Sequence, residues 1–368
     1  MKKELSLYHL CVASIFVCIL LTCTLFYGIN ALICREGAKA SACYDGTVIE
    51  QGGFVGDFNR SVYQNATMRR RILEHQYRFF GIMSHPNVLA GDDDFLFDVY
   101  DEETGYNYLD DYLGELQFSA EECEAILTLL EKRRDSYAER GAEYLLVILP
   151  NAQSVYSENM PDYLGSIRRT RLEGLENYLY ANKFTSFVNL TDELIAYKSE
   201  GRLYNNTENT LNSLGLYYTY RCVCERFEPT IMAKTRVIPR NDLNLYYHLT
   251  TGKAVARRAG LADVVSNLTA SLSNNTKLNY HSTPLTGRVT QTVLLPFEIP
   301  NAAETPRLLL QFSSAWERWQ SEPFFANTFR AGTYQTDHVD DDAIFSQAQP
   351  QAVIQFLYEN QLSWLLPQ

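Results

Sequence analysis

The chain has 368 residues, 46% of them hydrophobic and 21% charged, with a formal net charge of -12. That length suits a membrane segment plus one large domain or two smaller ones. The charge excludes a nucleic-acid backbone as the main partner, because such partners are held by clustered Lys and Arg, and short runs such as Arg69-Arg70-Arg71 read as solvated faces.

From Leu10 to Cys34 no side chain is charged. The stretch exceeds the ~20 residues that a helix needs to cross the hydrocarbon core. Lys2 and Lys3 precede it and Arg35 and Glu36 follow, so a single-pass anchor with a cytoplasmic N-terminus and an extracytoplasmic bulk is expected. A cleavable signal peptide with Ala38-Lys39-Ala40 as its processing site is the rival reading. A lipoprotein is disfavoured, because Ile33 before Cys34 is bulky. Of the eight cysteines, Cys11, Cys18 and Cys23 lie in the apolar segment and act as small hydrophobes. Cys34 and Cys43 are placed to pair outside the membrane. Cys123, Cys222 and Cys224 have no zinc-type spacing with His, so neither a metal nor a cofactor is implied. Five Asn-x-Thr sequons, from Asn65 to Asn274, carry little information in so Asn- and Thr-rich a chain.

The chain divides into an anchor at 1–34, a stalk at 35–89 with a helix-like part at Thr67–Phe80, and a domain at 90–368. Asp92-Asp93-Asp94 is a turn-forming run followed by a short strand at Phe95–Phe97. No Gly and Glu follow at calcium-loop offsets, so a solvated turn is the better reading. Ser119 and Glu122 form a capping box for a helix that Gly141 closes. Tyr144–Leu149, Phe184–Leu190, Arg307–Phe312 and Gln351–Leu357 are short apolar runs, separated by helix-like segments at Ile167–Asn182 and Asn212–Phe227. Strands apolar on both faces and alternating with helices predict a doubly wound α/β domain with a mainly parallel sheet. An insert at about 228–306 reads as a cover over the sheet's edge, helical around Leu243–Ala262.

In such a sheet, functional residues gather past the carboxyl ends of the strands. Asn151 follows the first strand, Thr207–Asn212 comes after the second, and Ser313-Ser314 follows the third. Ser314 stands where strand turns into helix, which suits either a nucleophile beside backbone N–H donors or a simple helix cap.

Several segments, in order, resemble the SGNH-hydrolase-like family that includes the alginate O-acetylation proteins, often called DHHW proteins. They are Gly91–Phe97, Leu149-Pro150-Asn151 with Tyr156 and Met160-Pro161, Leu203–Gly215, Leu308–Ser314 and Gln349–Leu357. The resemblance implies an SGNH-like three-layer α/β/α sandwich and a place in cell-surface polysaccharide modification, with a membrane-bound acyltransferase as a possible partner. It puts Ser314 on the nucleophile, Glu208 on the triad Asp and Thr210 on the triad His, with Asn151, Tyr156 and Asn212 on the substrate side. Acyl transfer through Ser needs a base near neutral pH, worth about 10²–10⁴-fold in rate. Thr210 cannot be that base. His75, His85, His248, His281 and His338 read as ordinary surface or loop residues. Two expectations follow. One is a catalytically degenerate relative that binds a glycan or assists an acyltransferase, and the other an active serine esterase or O-acetyltransferase with a rearranged base. A surface scaffold without ligand is the bland third.

Overall fold

The computed structural model describes residues 66–80, 85–102, 104–227, 237–273, 281–282, 297–298, 307–312, 324–325, 328–329, 331–335, 345 and 349–367. The expected anchor, Cys34 and Cys43, and Ser313, Ser314 and His338 lie outside the described residues. No described helix is long and apolar enough to cross a membrane. The chain divides into two compact units between Ile82 and Met83. In the first, α1 (Ala66–Phe80) is the helix expected in the stalk, with Glu74 and Arg78 paired across one turn at 3.1 Å.

The second unit opens with a hairpin, β1 (Val88–Ala90) against β2 (Leu96–Asp98). The boundary read at residue 89 therefore moves upstream, since β1 takes its hydrogen-bond partner from beyond the Asp run. Asp93 and Asp94 both adopt positive φ, at 54° and 60°. Short polar side chains tolerate that turn best among non-glycine residues.

Next come α2 (Ala120–Glu139), β3 (Glu143–Leu149), α3 (Arg171–Ala181), β4 (Phe187–Asn189) and α4 (Ser213–Arg226). Ser119 caps α2 with the reciprocal bond in place, its own N–H donating to Glu122 at 2.8 Å. Gly141 closes the connection to β3 at φ 80°, a conformation that costs a side-chain-bearing residue. After the insert, β7 (Arg307–Gln311), β8 (Ala331–Gln335) and β9 (Ala352–Tyr358) complete the sheet. The four apolar runs lie side by side in the order β4-β3-β9-β7, all parallel. β8 extends the sheet in parallel beyond β7, and the short strands Phe297–Glu298 and His281–Ser282 add two antiparallel steps.

Alternation within the strands makes the layers. Leu145, Val147, Leu149, Leu310 and Phe356 face a core shared with α4 and the helix Thr191–Tyr197. Tyr144, Leu146, Ile148, Leu309 and Val353 face a second core with Ile126 and Leu130 of α2 and Leu172 and Leu175 of α3. A parallel sheet buried between two helical layers is the three-layer α/β/α sandwich.

The insert departs from expectation. Where a helix was read around Leu243–Ala262, the chain forms β5 (Leu245–Thr250), then the short α5 (Ala254–Arg258), then β6 (Asn267–Leu272), which pairs back on β5 antiparallel. Leu-Tyr-Tyr-His-Leu-Thr is rich in strand-forming residues, and its pairing partner lies too far along the chain for local periodicity to reveal.

Candidate functional site

A cavity of about 670 Å³ opens beyond the carboxyl ends of β3 and β9. Its wall includes Asn151 after β3, Asn360 after β9, Asp98 at the end of β2, and the segment Glu208-Asn209-Thr210. The insert supplies Ala254, Val255 and Arg258 from α5, so it closes one side of the cavity as a cover.

The segment from Leu203 to Asn212 is a tight loop whose ends are tied by a bridge between Tyr204 and Leu211. Across it, the Asn205 N–H donates to the Thr210 carbonyl at 3.0 Å and the Asn212 N–H to the Leu203 carbonyl at 2.8 Å. The Thr210 hydroxyl accepts from Asn205 Nδ2 at 3.0 Å. Gly215 lies against the base of the loop; a Cβ there would sit 2.4 Å from the Leu203 carbonyl oxygen. The loop is also bonded to the insert. Thr207 donates to Asn267 at 2.9 Å and accepts from the Lys253 N–H at 2.9 Å, and Asn206 accepts from the Leu268 N–H at 2.7 Å.

Electrostatically the cavity is acidic. Asp98, Asp101, Glu102 and Glu208 line it, with Arg258 as the facing guanidinium. Asp98 is bonded to Arg258 and accepts from Asn209 Nδ2 at 2.5 Å. Burial raises its carboxyl to about 6 against the pull of Arg258, with Asp101 adding to the rise. Burial, with Asp98 and Asp101 alongside, also holds the Tyr108 phenol protonated. His85 lines the same cavity, and its Nδ1 accepts the Asn87 N–H at 3.2 Å. A neutral imidazole so engaged carries its proton on Nε2 and serves as a donor.

Asn151 also reaches a second, buried polar cluster. Its N–H donates to Glu359 Oε2 at 2.7 Å, which also takes the Ser154 hydroxyl at 2.8 Å. Its Nδ2 donates to the Tyr106 hydroxyl at 3.1 Å, which in turn donates to Asp111. Asp111 accepts the Arg171 N–H at 2.7 Å as well. Glu359 is fully buried, and its carboxyl is driven up by burial and by the neighbouring Asp111 charge; Asp111 is driven up by burial too. Each carboxyl is thereby held toward its neutral form.

Of the residues that the sequence nominates, Asn151, Glu208 and Thr210 meet at one cavity. The nucleophile position, Ser314, lies outside the described residues. The other two nominated residues lie away from that cavity. Tyr156 belongs to a separate cavity of about 680 Å³, with Asp92, Phe95, Lys198 and Arg202, and its hydroxyl accepts the Leu203 N–H at 2.8 Å. Asn212 is an N-cap: its Oδ1 takes the Leu214 and Gly215 N–H groups, its Nδ2 donates to the Arg202 carbonyl at 2.7 Å, and the residue is buried and does not line the cavity. Sequence reasoning missed Asp98 and Glu359, although each sits at or just past the end of a strand. It also missed Asp111, which no local signal separates from the solvated Asp110 beside it.

No family model and no curated protein matches the chain. Among solved structures, PatB1 of Bacillus cereus superposes with a TM-score of 0.54 at 14% identity, covering 76% of this chain and 97% of that one. A DHHW family protein from Eubacterium siraeum gives 0.51 at 14% identity, covering 77% and 96%. The O-acetyltransferase domain of Pseudomonas putida AlgJ gives 0.46 at 15%, covering 75% and 92%. With the first two of these, the resemblance to SGNH-hydrolase-like, DHHW-type proteins read from the sequence holds at the level of the fold.

Proposed function

We propose that this chain is a membrane-anchored, extracytoplasmic relative of the SGNH-hydrolase-like polysaccharide O-acetylation proteins that has given up acyl transfer. In this reading it binds a cell-surface glycan or assists a membrane-bound acyltransferase. One observation carries it. The position where the resemblance calls for an imidazole is Thr210 on the cavity wall, with its hydroxyl already bonded to Asn205. A Ser left without its base keeps only what binding and oxyanion donors supply. The purified protein should hydrolyse simple acetyl esters at the buffer rate, and Ser314→Ala should change nothing.

His85 on the same cavity favours a second reading, an esterase or O-acetyltransferase with a displaced base. As placed, its ring lone pair is occupied by the Asn87 N–H, so it would have to turn before taking a proton. PatB1 has also been solved with a sulfonyl adduct, which recommends a sulfonyl fluoride as the test reagent. Rapid labelling at Ser314 that disappears in both Ser314→Ala and His85→Ala would establish the second reading and sink the first. The anchor is tested separately: protease added to intact cells should remove the globular part and leave a short membrane fragment, whereas a soluble product beginning after Ala40 would favour the cleaved signal peptide.

A further inference from the structure

Behind the cavity, one buried carboxyl joins the end of β9 to the short helix Ala152–Val155. Glu359 is 0% exposed and stands in the chain between Tyr358 and Asn360, which both line the cavity. Its Oε2 holds the N–H of Asn151, a third wall residue, and the Ser154 hydroxyl. Its Oε1 is shielded from solvent and has no partner among the described residues. The titratable and charged groups around it are Asp111 from the helix Tyr108–Tyr112, Tyr106 from the strand before that helix, Arg171 from α3, and Tyr204 from the loop that carries Thr210. Arg171 spends its guanidinium on the Tyr106 and Phe118 rings, at 4.8 and 4.7 Å, and gives its N–H to Asp111. No cation among the described residues bonds to Glu359. A carboxylate in that place would have two neutral hydrogen bonds, no water and a second acid beside it, so the neutral form is the one that the closed wall accommodates.

We propose that Glu359 is a pH-operated brace for the cavity wall: while neutral it clamps Asn151 and Ser154 to the end of β9, and rising pH lets the wall open locally so that the carboxyl can ionise in water. In the opened wall Glu359 ionises as an ordinary Glu, at 4.5, whereas burial and the Asp111 charge hold it neutral up to about 8 in the closed one. Between those values the closed wall carries the extra proton. Each unit of pH therefore makes opening about tenfold easier, and the effect levels off once both forms are ionised. The motion stays local, because Glu359 ties only a four-residue helix and its cap to one strand end, while β3 and β9 remain paired from Ala352 to Tyr358. Asn151, Tyr358 and Asn360 leave their places on the wall together, so the shape of the cavity follows pH. The brace acts whatever the cavity binds, and its failure would leave the reading above untouched.

The experiment is amide hydrogen exchange of the full chain in detergent from about pH 5.5 to 9, with protection corrected for the intrinsic pH dependence of exchange. Peptides spanning residues 150–156 and 357–362 should lose protection about tenfold per unit of pH and level off near the top of the range. At every pH they should stay less protected than α2, which opens only with the whole domain. Glu359→Gln keeps both acceptor bonds without the charge and should make the protection of the wall independent of pH. Asp111→Asn removes the charge beside Glu359 and should bring the levelling-off to lower pH. Wall protection in the parent protein that does not change with pH overturns the proposal. Protection equal to that of α2 overturns it too, since the wall would then have no opening of its own, and so does a slope that survives in Glu359→Gln. If Glu359→Gln does not fold, Asp111→Asn decides: a levelling-off at the parent's pH overturns the brace, and a shift to lower pH supports it.

Discussion

Asn151 joins two polar clusters built on different terms. In the buried one, Glu359, Asp111, Tyr106 and Ser154 bond to one another and to Asn151, and Glu359 lies fully out of solvent. On the cavity side, the Glu208 carboxylate and the Asn209 side-chain oxygen have no partner among the described residues. Buried networks hold shape through bonds among their members, although Glu359 Oε1 lacks a partner among the described residues, and unpaired groups facing a cavity are where a ligand gains most. The contrast separates a scaffold from a surface, although both are acidic and both meet at Asn151.

The largest test of that contrast is Glu359→Ala. It strips the acceptor from the Asn151 N–H and the Ser154 hydroxyl in the protein interior, and should cost about 3 kcal/mol in urea denaturation. A loss under about 0.5 kcal/mol, the range of an ordinary surface change, would mean that the buried cluster does not hold the site. The pH dependence sharpens the same point. Glu359 keeps its proton in the folded state up to about 8, against 4.5 for an ordinary Glu. Between those values the folded chain binds more protons than the unfolded one, so stability should fall as pH rises through that window. Glu359→Gln can still accept from Asn151 and Ser154 and can donate toward Asp111, so melting temperature measured from pH 5 to 8 should flatten. A slope identical to that of the parent protein would assign the titration to other groups.

Smaller effects fall on the loop that carries Glu208 and Thr210. Gly215→Ala drives a Cβ into the Leu203 carbonyl and to within 2.7 Å of Leu211, and should cost about 2 kcal/mol through forced repacking. Asn212→Ala removes the cap of α4 and should cost about 1 kcal/mol, read by the same denaturation. Glu208→Ala should stay within about 0.5 kcal/mol. If Glu208→Ala cost as much as Glu359→Ala, the two clusters would not differ in kind.

The sheet was legible because its signal is local. Tyr144–Leu149 and Gln351–Leu357 are apolar on both faces, and only a parallel strand between helical layers uses such a run. The capping box at Ser119 and Glu122 fixed the start of α2 in the same way. The insert was misread because β5 needs β6 to be a strand at all, and that pairing is not written in either segment alone. The site divides along a similar line. Asn151 could be found by the strand-end rule, and Glu208 and Thr210 through the resemblance. Asp111 could not be found, since its burial depends on Tyr106, Arg171 and Glu359 arriving from three other parts of the chain. Asn212 and Tyr156 were nominated as ligand groups because polar residues near strand ends look alike in sequence, whether they face a ligand or their own backbone.

The bond from Asn205 to Thr210 has a consequence for any attempt to turn this protein back into an enzyme. Asn205 Nδ2 donates to the Thr210 hydroxyl, Asn205 Oδ1 accepts from Asn267, and Asn267 in turn takes the Thr207 hydroxyl. A histidine at 210 would withdraw the first acceptor and press a larger ring into a chain of bonds that ends in the insert. The present residue is thus held in place by its neighbours like a tooth in a ratchet, and reinstating an imidazole would require the amides at 205 and 267 to be reset together with it.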